Sequence, residues 1–377
     1  MSYNFEVSKS AIVQMKKIGI NILNNIESGT GRLQVNLFKQ LETLVDDLDL
    51  EIYTFTYGTR FPRPNNLPRK FQYQKSLFPG KIQRLLCEKF GIPLERVFRL
   101  PKIDWVVDLC LDYFPTEAKR LAYVPDVAWK YFSGDHYNDV FPQSAVERVG
   151  KSIHKSEKII TLSYFSKSEI CKYYPINNDK CDVLYCGIDP NIYNMDRSID
   201  DKMMIQRFNL PSKYILYVGS LNIRKNPRIL SESFRILGDG YSLVHVGPTP
   251  KEGYSFWGLD LPNFISLGFV REQELASIYR EAVCVVMPSF FEGFGIPLVE
   301  GMASGNLVLC SDIPIFHEIT GNNALFFNPN DSTTLIKCIK LVYEKNTLND
   351  SIRQNGFKRS REFRWNTFAN KFVSLLN

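Results

Sequence analysis

The chain has 377 residues, of which 44 % are hydrophobic and 23 % charged, a length that favours two domains over one. No uncharged apolar run reaches the ~18 residues of a membrane-spanning helix, and residues 1–17, with Glu6, Lys9, Lys16 and Lys17, lack the apolar core of a secretory signal. A cytoplasmic chain is therefore expected, with reduced, core-forming cysteines (eight, scattered, no C-x-x-C pair) and no metal site among four histidines that lack ligand spacing.

Residues 18–23 form a short apolar run suited to a buried strand. The glycine-containing turn at 27–31 follows, and Leu33, Leu37, Leu41, Leu44 and Val45 then repeat with helical spacing. A second apolar run at 50–57 completes a β-α-β unit, which implies parallel pairing. From Arg60 to Lys102 there are eleven Lys and Arg against Glu88 and Glu95, a local charge of +9, so the rest of the chain sums to −3. Phe61, Phe71, Tyr73, Phe78, Phe90 and Phe98 are interleaved with this charge. That combination suits an anionic membrane surface or a phosphate-bearing partner, although a solvated face gives the same pattern. Nucleic acid is not expected, because no helix-turn-helix, zinc-finger or RNP pattern accompanies the basicity.

Further strands are expected at 105–109, 121–124, 158–162 and 181–185, and a polar linker at 188–205. Asp104, Asp108 and Asp112 recur every four residues, but the apolar residues between them make the segment strand-like rather than an acidic catalytic face. Six more short strands, at 214–218, 242–246, 264–267, 282–287, 307–310 and 324–327, alternate with helical spacing. The expected fold is α/β, with two Rossmann-like domains of parallel strands at 1–200 and 201–360 facing an interdomain cleft. The ends of the strands at that cleft are the default ligand site.

The segment P-S-F-F-E-G-F-G-I-P-L-V-E-G-M-A-S-G at 288–305 leaves an apolar strand, turns through Gly293 and Gly295, and enters a helix near Pro297. A helix N-terminus presents unpaired N–H groups and a partial positive charge, so it suits a diphosphate. Glycine lets the backbone approach a ligand closely. Glu292 and Glu300 then put a carboxylate at each end of the elbow. A bare Gly-x-Gly is more often only a tight turn.

The whole segment resembles the E-x7-E motif of the retaining nucleotide-sugar glycosyltransferases of family 4, which adopt the GT-B fold. Y-V-G-S-L-N-I-R-K-N at 217–226 resembles the family's strand and R-K-N element, and G-F-V at 268–270 its G-(Y/F)-V turn. S-G-T-G-R at 28–32 matches its S-G-x-G-R loop, Y-C-G-I-D at 185–189 its N-G-V-D segment, and R-W-N at 364–366 its F-x-W element. The likeness covers nearly the whole chain after Lys17. It implies donor binding by Gly31, Ser220, Arg224, Lys225, Val270, Glu292, Gly293, Phe294, Gly295 and Glu300. Lys225 and Arg224 would neutralise the diphosphate, Val270 would lie against the base, Glu292 would bind sugar hydroxyls and Glu300 the ribose. The final helix, 361–377, would pack back on the first domain with Trp365 as its anchor.

One position departs from the family. Pro125 stands where its catalytic-centre His would be, and Asp126 is the nearest replacement. His136, His154, His245 and His317 read as polar or structural residues. The resemblance implies a retaining hexosyltransferase without metal or cofactor, using a GDP- or UDP-linked sugar (mannose among the candidates). Its acceptor would be a glycan or lipid-linked saccharide, at a membrane surface through residues 60–102 in the latter case. The alternatives are a nucleotide-sugar-binding protein without transfer, or a GT-B epimerase. A dehydrogenase ranks lower, since Gln34 stands where a third glycine would be and no acid follows the second strand.

Overall fold

The computed structural model describes residues 15–23, 29–59, 63–64, 67–132, 141–344 and 347–377. Residues 1–14, Ser28 of the S-G-T-G-R loop, Arg60, Phe61 and His136 lie outside the described residues.

Among the described residues, thirteen strands form two sheets. The first contains β1 (Lys16–Asn21), β2 (Leu50–Phe55), β3 (Gln72–Tyr73), β4 (Trp105–Asp108), β5 (Lys119–Tyr123), β6 (Lys158–Thr161) and β7 (Cys181–Val183), in the order β3-β2-β1-β4-β5-β6-β7. The second contains β8 (Ile215–Val218), β9 (Leu243–Val246), β10 (Phe264–Ser266), β11 (Cys284–Met287), β12 (Leu307–Ser311) and β13 (Leu325–Phe327), in the order β10-β9-β8-β11-β12-β13. Its pairs are all parallel, with Ile215 opposite Leu243 on one side of β8 and Cys284 on the other. Each sheet thus has the strand order of a Rossmann fold, with a reversal between its first and fourth strands. The chain is an α/β protein with two parallel-stranded sheets.

The strands form where the sequence has apolar runs, because both faces of a parallel sheet are covered. β8, β9, β11 and β12 are buried at nearly every position, and Tyr217, Leu230, Phe234, Val286, Leu309 and Phe327 are among the side chains that fill the core around them. The expected strands are present, shifted by no more than two residues at their ends. β3 was not foreseen, since two residues carry no periodicity.

Two further expectations change. The polar segment at 188–205 is not a linker throughout. Ser198 caps the helix Ile199–Arg207, its hydroxyl accepting from Asp201 N (3.3 Å) while the Asp201 carboxylate accepts from Ser198 N (2.9 Å). The same carboxylate takes both arms of the half-buried Arg280 guanidinium, at 2.8 and 2.6 Å. The compact units also divide differently from a boundary at 200: one comprises 1–123 with 147–159 and Leu376, the other 124–146 with 160–375 and Asn377. Residues 160–200 fall in the second unit because of what they touch. Glu318 accepts from Tyr164 N, Phe165 N and the Tyr185 hydroxyl (2.7, 2.8 and 2.9 Å), and Lys371 donates to Val183 O (2.9 Å). Trp365 is buried, and a Cβ on Gly187 would come within 2.2 Å of its backbone nitrogen.

Candidate functional site

β8 and β11 are neighbours at the reversal point of the second sheet, where ligands bind beyond the carboxyl ends of strands. The loops that leave them carry the residues singled out in the sequence. After β8, the Asn222 carboxamide accepts from Lys225 N (3.1 Å) and donates to Ser220 Oγ (3.0 Å), closing a single helical turn over Ile223–Lys225. After β11, Phe290 N donates to Arg224 O (2.8 Å), so backbone joins the two loops.

Glu292 is the centre of the cluster. Its carboxylate accepts from Arg224 Nη1 at 2.6 Å, lies 3.2 Å from Lys225 Nζ and accepts from Ser289 Oγ at 2.9 Å. Arg224 also donates to Phe291 O (3.0 Å). Burial alone would raise the Glu292 pKa, but the two cations and their hydrogen bonds outweigh it and hold the carboxyl at about 2. Burial pulls the Lys225 ammonium below its usual value, opposed by the Glu292 charge. Two cations therefore share one ionised carboxylate.

Gly293 is glycine for lack of space: a Cβ there would lie 2.6 Å from Pro125 O and 3.0 Å from Asp126 Cβ. Pro125 thus brings its backbone carbonyl against the elbow. Asp126 accepts from Ala128 N (2.9 Å), and burial raises its pKa against the pull of Arg224 and Lys225. Gly295 has φ +106°, a left-handed geometry that disfavours a side chain, and caps the helix Ile296–Ala303 with Pro297 in its first turn. Phe294 is buried against Tyr185 and Phe363.

The remaining expected residues sit on other elements. Glu300 is buried in the helix Ile296–Ala303 and accepts from the Tyr279 hydroxyl (2.9 Å). Val270 is half-buried in the turn after β10, where Gly247 N donates to Gly268 O (3.0 Å). Gly31 sits in the first turn of the helix Gly29–Leu44, in the first compact unit. Two cavities, of about 580 and 690 Å³, are lined by none of Arg224, Lys225, Asp126 or Glu292.

The sequence reading passed over Ser289, which orients Glu292, and Asn222, which shapes the cationic turn. It also missed Ser163 and Ser166, fully buried, whose hydroxyls donate to Gly293 O at 2.9 and 3.2 Å. Serines 130 residues away in sequence leave no local signal. His317 proves to be a half-exposed residue stacked on Phe326 and bonded to Asp312, which helps raise its pKa.

The family model of glycosyl transferases group 1 matches residues 198–359. Over 214 residues the chain is 32 % identical to the O-antigen chain mannosyltransferase RfbU of Salmonella typhimurium, covering 55 % of this chain and 57 % of that one. The chain spans between 57 % and 65 % of the length of the first curated relatives it matches. Among solved structures, sucrose-phosphate synthase from Thermosynechococcus elongatus superposes with a TM-score of 0.75 at 16 % identity, covering 96 % of this chain and 98 % of that one. Anabaena HepE, in complex with UDP-glucose, gives 0.72 at 16 % identity, covering 96 % and 99 %. The matched segment contains the whole β8–β11 reversal with its paired loops and is similar to glycosyl transferases group 1, and the superpositions show the two-domain GT-B fold.

Proposed function

We propose that the chain is a retaining hexosyltransferase that moves a sugar, mannose first among the candidates, from a nucleoside diphosphate to a glycan or lipid-linked saccharide. The observation that carries this reading is the pair of cations at the strand reversal, Arg224 and Lys225, both on the carboxylate of Glu292 with Asp126 in the same field. A pyrophosphate is the polyanion that such a pair, flanked by the N-terminus of the helix Ile296–Ala303, is suited to hold. The mannosyltransferase RfbU and the UDP-glucose complex of HepE support a sugar nucleotide as donor.

In this scheme Arg224 and Lys225 stabilise charge that grows on the departing diphosphate, so metal is not required. Glu292 turns its carboxylate to hydroxyls of the donor sugar, and the acceptor hydroxyl attacks from the side the diphosphate leaves, losing its proton to a phosphate oxygen. Asp126, beside Gly293, serves the acceptor side in place of the family His. Glu300, fixed by Tyr279, takes the ribose hydroxyls and Val270 the base.

A lipid-linked acceptor is favoured by the segment 77–90. Leu77, Phe78, Ile82, Leu85 and Phe90 are 37–63 % exposed there, with Lys75, Lys81 and Lys89 also at the surface. Apolar side chains flanked by lysines fit an anionic lipid interface. Four basic residues of the wider stretch are engaged within the fold: Arg63 with Phe71 O, Lys70 with Asp46, Arg84 with Asp112, and Arg96 with Glu117. Among the described residues no helix is long and apolar enough to cross a membrane.

The test is a thermal-shift panel of sugar nucleotides, followed by transfer assays with and without anionic vesicles, the product's anomeric configuration being read by NMR. A ligand of the native state raises the melting temperature by mass action. The reading expects GDP-mannose or a UDP-hexose to do so and to be consumed with retention. Absence of any shift overturns it; binding without transfer or hydrolysis identifies a binding protein, and isomerised donor without acceptor an epimerase.

A further inference from the structure

Two peptide groups of the β8 and β11 loops are each held from behind by buried side chains that donate to their carbonyl oxygens. In the β11 loop the acceptor is Gly293 O. Ser163 Oγ accepts from Ser166 N at 2.9 Å, which commits a lone pair and leaves its hydrogen for Gly293 O at 2.9 Å; Ser166 Oγ supplies the second donor at 3.2 Å. Both serines have no exposed surface. In the β8 loop the acceptor is Gly219 O, 2.8 Å from Nε2 of His245. A carbonyl only accepts, so Nε2 carries the hydrogen. Nδ1, 3.1 Å from Ser266 Oγ, then accepts from that hydroxyl, and Ser266 Oγ accepts from the Tyr254 hydroxyl at 2.6 Å. The ring is fully buried between Tyr217 and Phe264, and burial lowers its pKa, so the neutral tautomer is the one the chain of bonds requires.

In a trans peptide the C=O and the following N–H point in opposite directions, and no described peptide bond is cis. Fixing Gly293 O therefore fixes the Phe294 N–H, and fixing Gly219 O fixes the Ser220 N–H. Donation to a carbonyl also polarises the peptide and strengthens its N–H as a donor. We propose that Ser163, Ser166 and His245 are positioning residues that aim and strengthen the Phe294 and Ser220 N–H groups as ligands of the donor's diphosphate. This rests on the sugar-nucleotide reading above and adds to it the groups that set its phosphate contacts. The Tyr254–Ser266–His245 chain also runs from the strand that precedes the Val270 turn to the cationic loop, linking the base side of the site to its phosphate side.

The experiment compares diphosphate with nucleoside in the full-length chain. Affinities for GDP and UDP are measured by calorimetry and those for guanosine and uridine by ligand-observed NMR, in Ser163→Ala, Ser166→Ala, His245→Phe and His245→Gln. Loss of one such hydrogen bond is expected to weaken diphosphate binding about five-fold while nucleoside binding stays unchanged. His245→Gln, whose carboxamide can again donate to Gly219 O, recovers most of the loss. A purely structural role predicts lower melting temperatures with an unaltered diphosphate-to-nucleoside ratio, and that result overturns the proposal. If Ser163→Ala fails to fold for want of its helix cap, Ser166→Ala, which caps nothing, decides. A parent chain that binds neither diphosphate sinks the sugar-nucleotide reading instead, a distinguishable outcome.

Discussion

The two sheets share one strand order, yet the buried acids Asp108 and Glu292, at and beyond the carboxyl ends of their central strands, are shifted in opposite directions. In the first, Asp108 at the end of β4 accepts from Asn21 Nδ2, Cys110 N and Asp112 N at 2.8–3.1 Å. Asp112 takes Arg84 and Arg148 at 2.8 and 2.9 Å, and Arg120 lies buried over the Phe114 ring. Asp108 itself accepts from neutral donors, Arg120 Nη1 is buried without a hydrogen-bond partner among the described residues, and burial, only partly offset by Arg120, pushes the Asp108 carboxyl up to about 6. In the second, Glu292 is held at about 2 because two cations converge on it. Topology supplies a crevice in both places, and in both a carboxylate takes two cations, Asp112 in the first and Glu292 in the second, but the acid at the end of β4 accepts from neutral donors whereas Glu292 is held ionised by its cations. That difference separates a structural polar network from a site that attracts an anion.

The comparison is broken most directly at Glu292. Glu292→Ala leaves the half-buried Arg224 and Lys225 without that carboxylate, which should cost up to about 3–5 kcal/mol of stability. Turnover of the folded fraction should fall about a hundredfold or more, because the sugar loses a positioning group. Denaturant melts and single-donor kinetics check both; a folded variant with near-parental turnover would refute the role of Glu292. Asp108 tests the other shift. Its folded pKa of about 6 exceeds the ordinary 3.8, so its ionisation opposes folding. The penalty is absent when both states are protonated, grows between about pH 4 and 6, and is complete above, reaching about 3 kcal/mol at ~1.4 kcal/mol per pKa unit. Parental stability should therefore fall over that interval by an amount missing from Asp108→Asn; parallel pH profiles would show that Asp108 is not strained.

Much of this was legible in the sequence, for physical reasons that also explain what was not. Apolar runs such as 284–287 read as strands because a parallel sheet buries both faces, and the glycines at 293 and 295 marked the elbow because backbone contact and a left-handed φ leave no room for a side chain. The R-K pair was legible as chemistry, but its convergence on Glu292, 67 residues away, belongs to strand adjacency. Ser163, Ser166 and His245 were illegible: a buried hydroxyl or imidazole gains its role from the carbonyl that the fold brings to it. The linker reading failed at Asp201 because a polar, acidic run is also what a capped helix start looks like.

The smallest change removes one of the two cations on Glu292. Lys225→Met keeps a long side chain in nearly the same space and leaves Glu292 with Arg224 as its remaining cation. Because burial already pulls the Lys225 ammonium below its usual value, removing it relieves desolvation, and the ligand-free protein should be no less stable than its parent. Diphosphate affinity should nevertheless fall about 10–100-fold, the worth of one charge-assisted contact, with nucleoside affinity unchanged. Stability and affinity thus move in opposite directions only if Lys225 is present for the ligand rather than for the fold. Calorimetry and a melt on the same sample decide it: a variant that loses stability but keeps its diphosphate affinity would make the second cluster a structural network like the first.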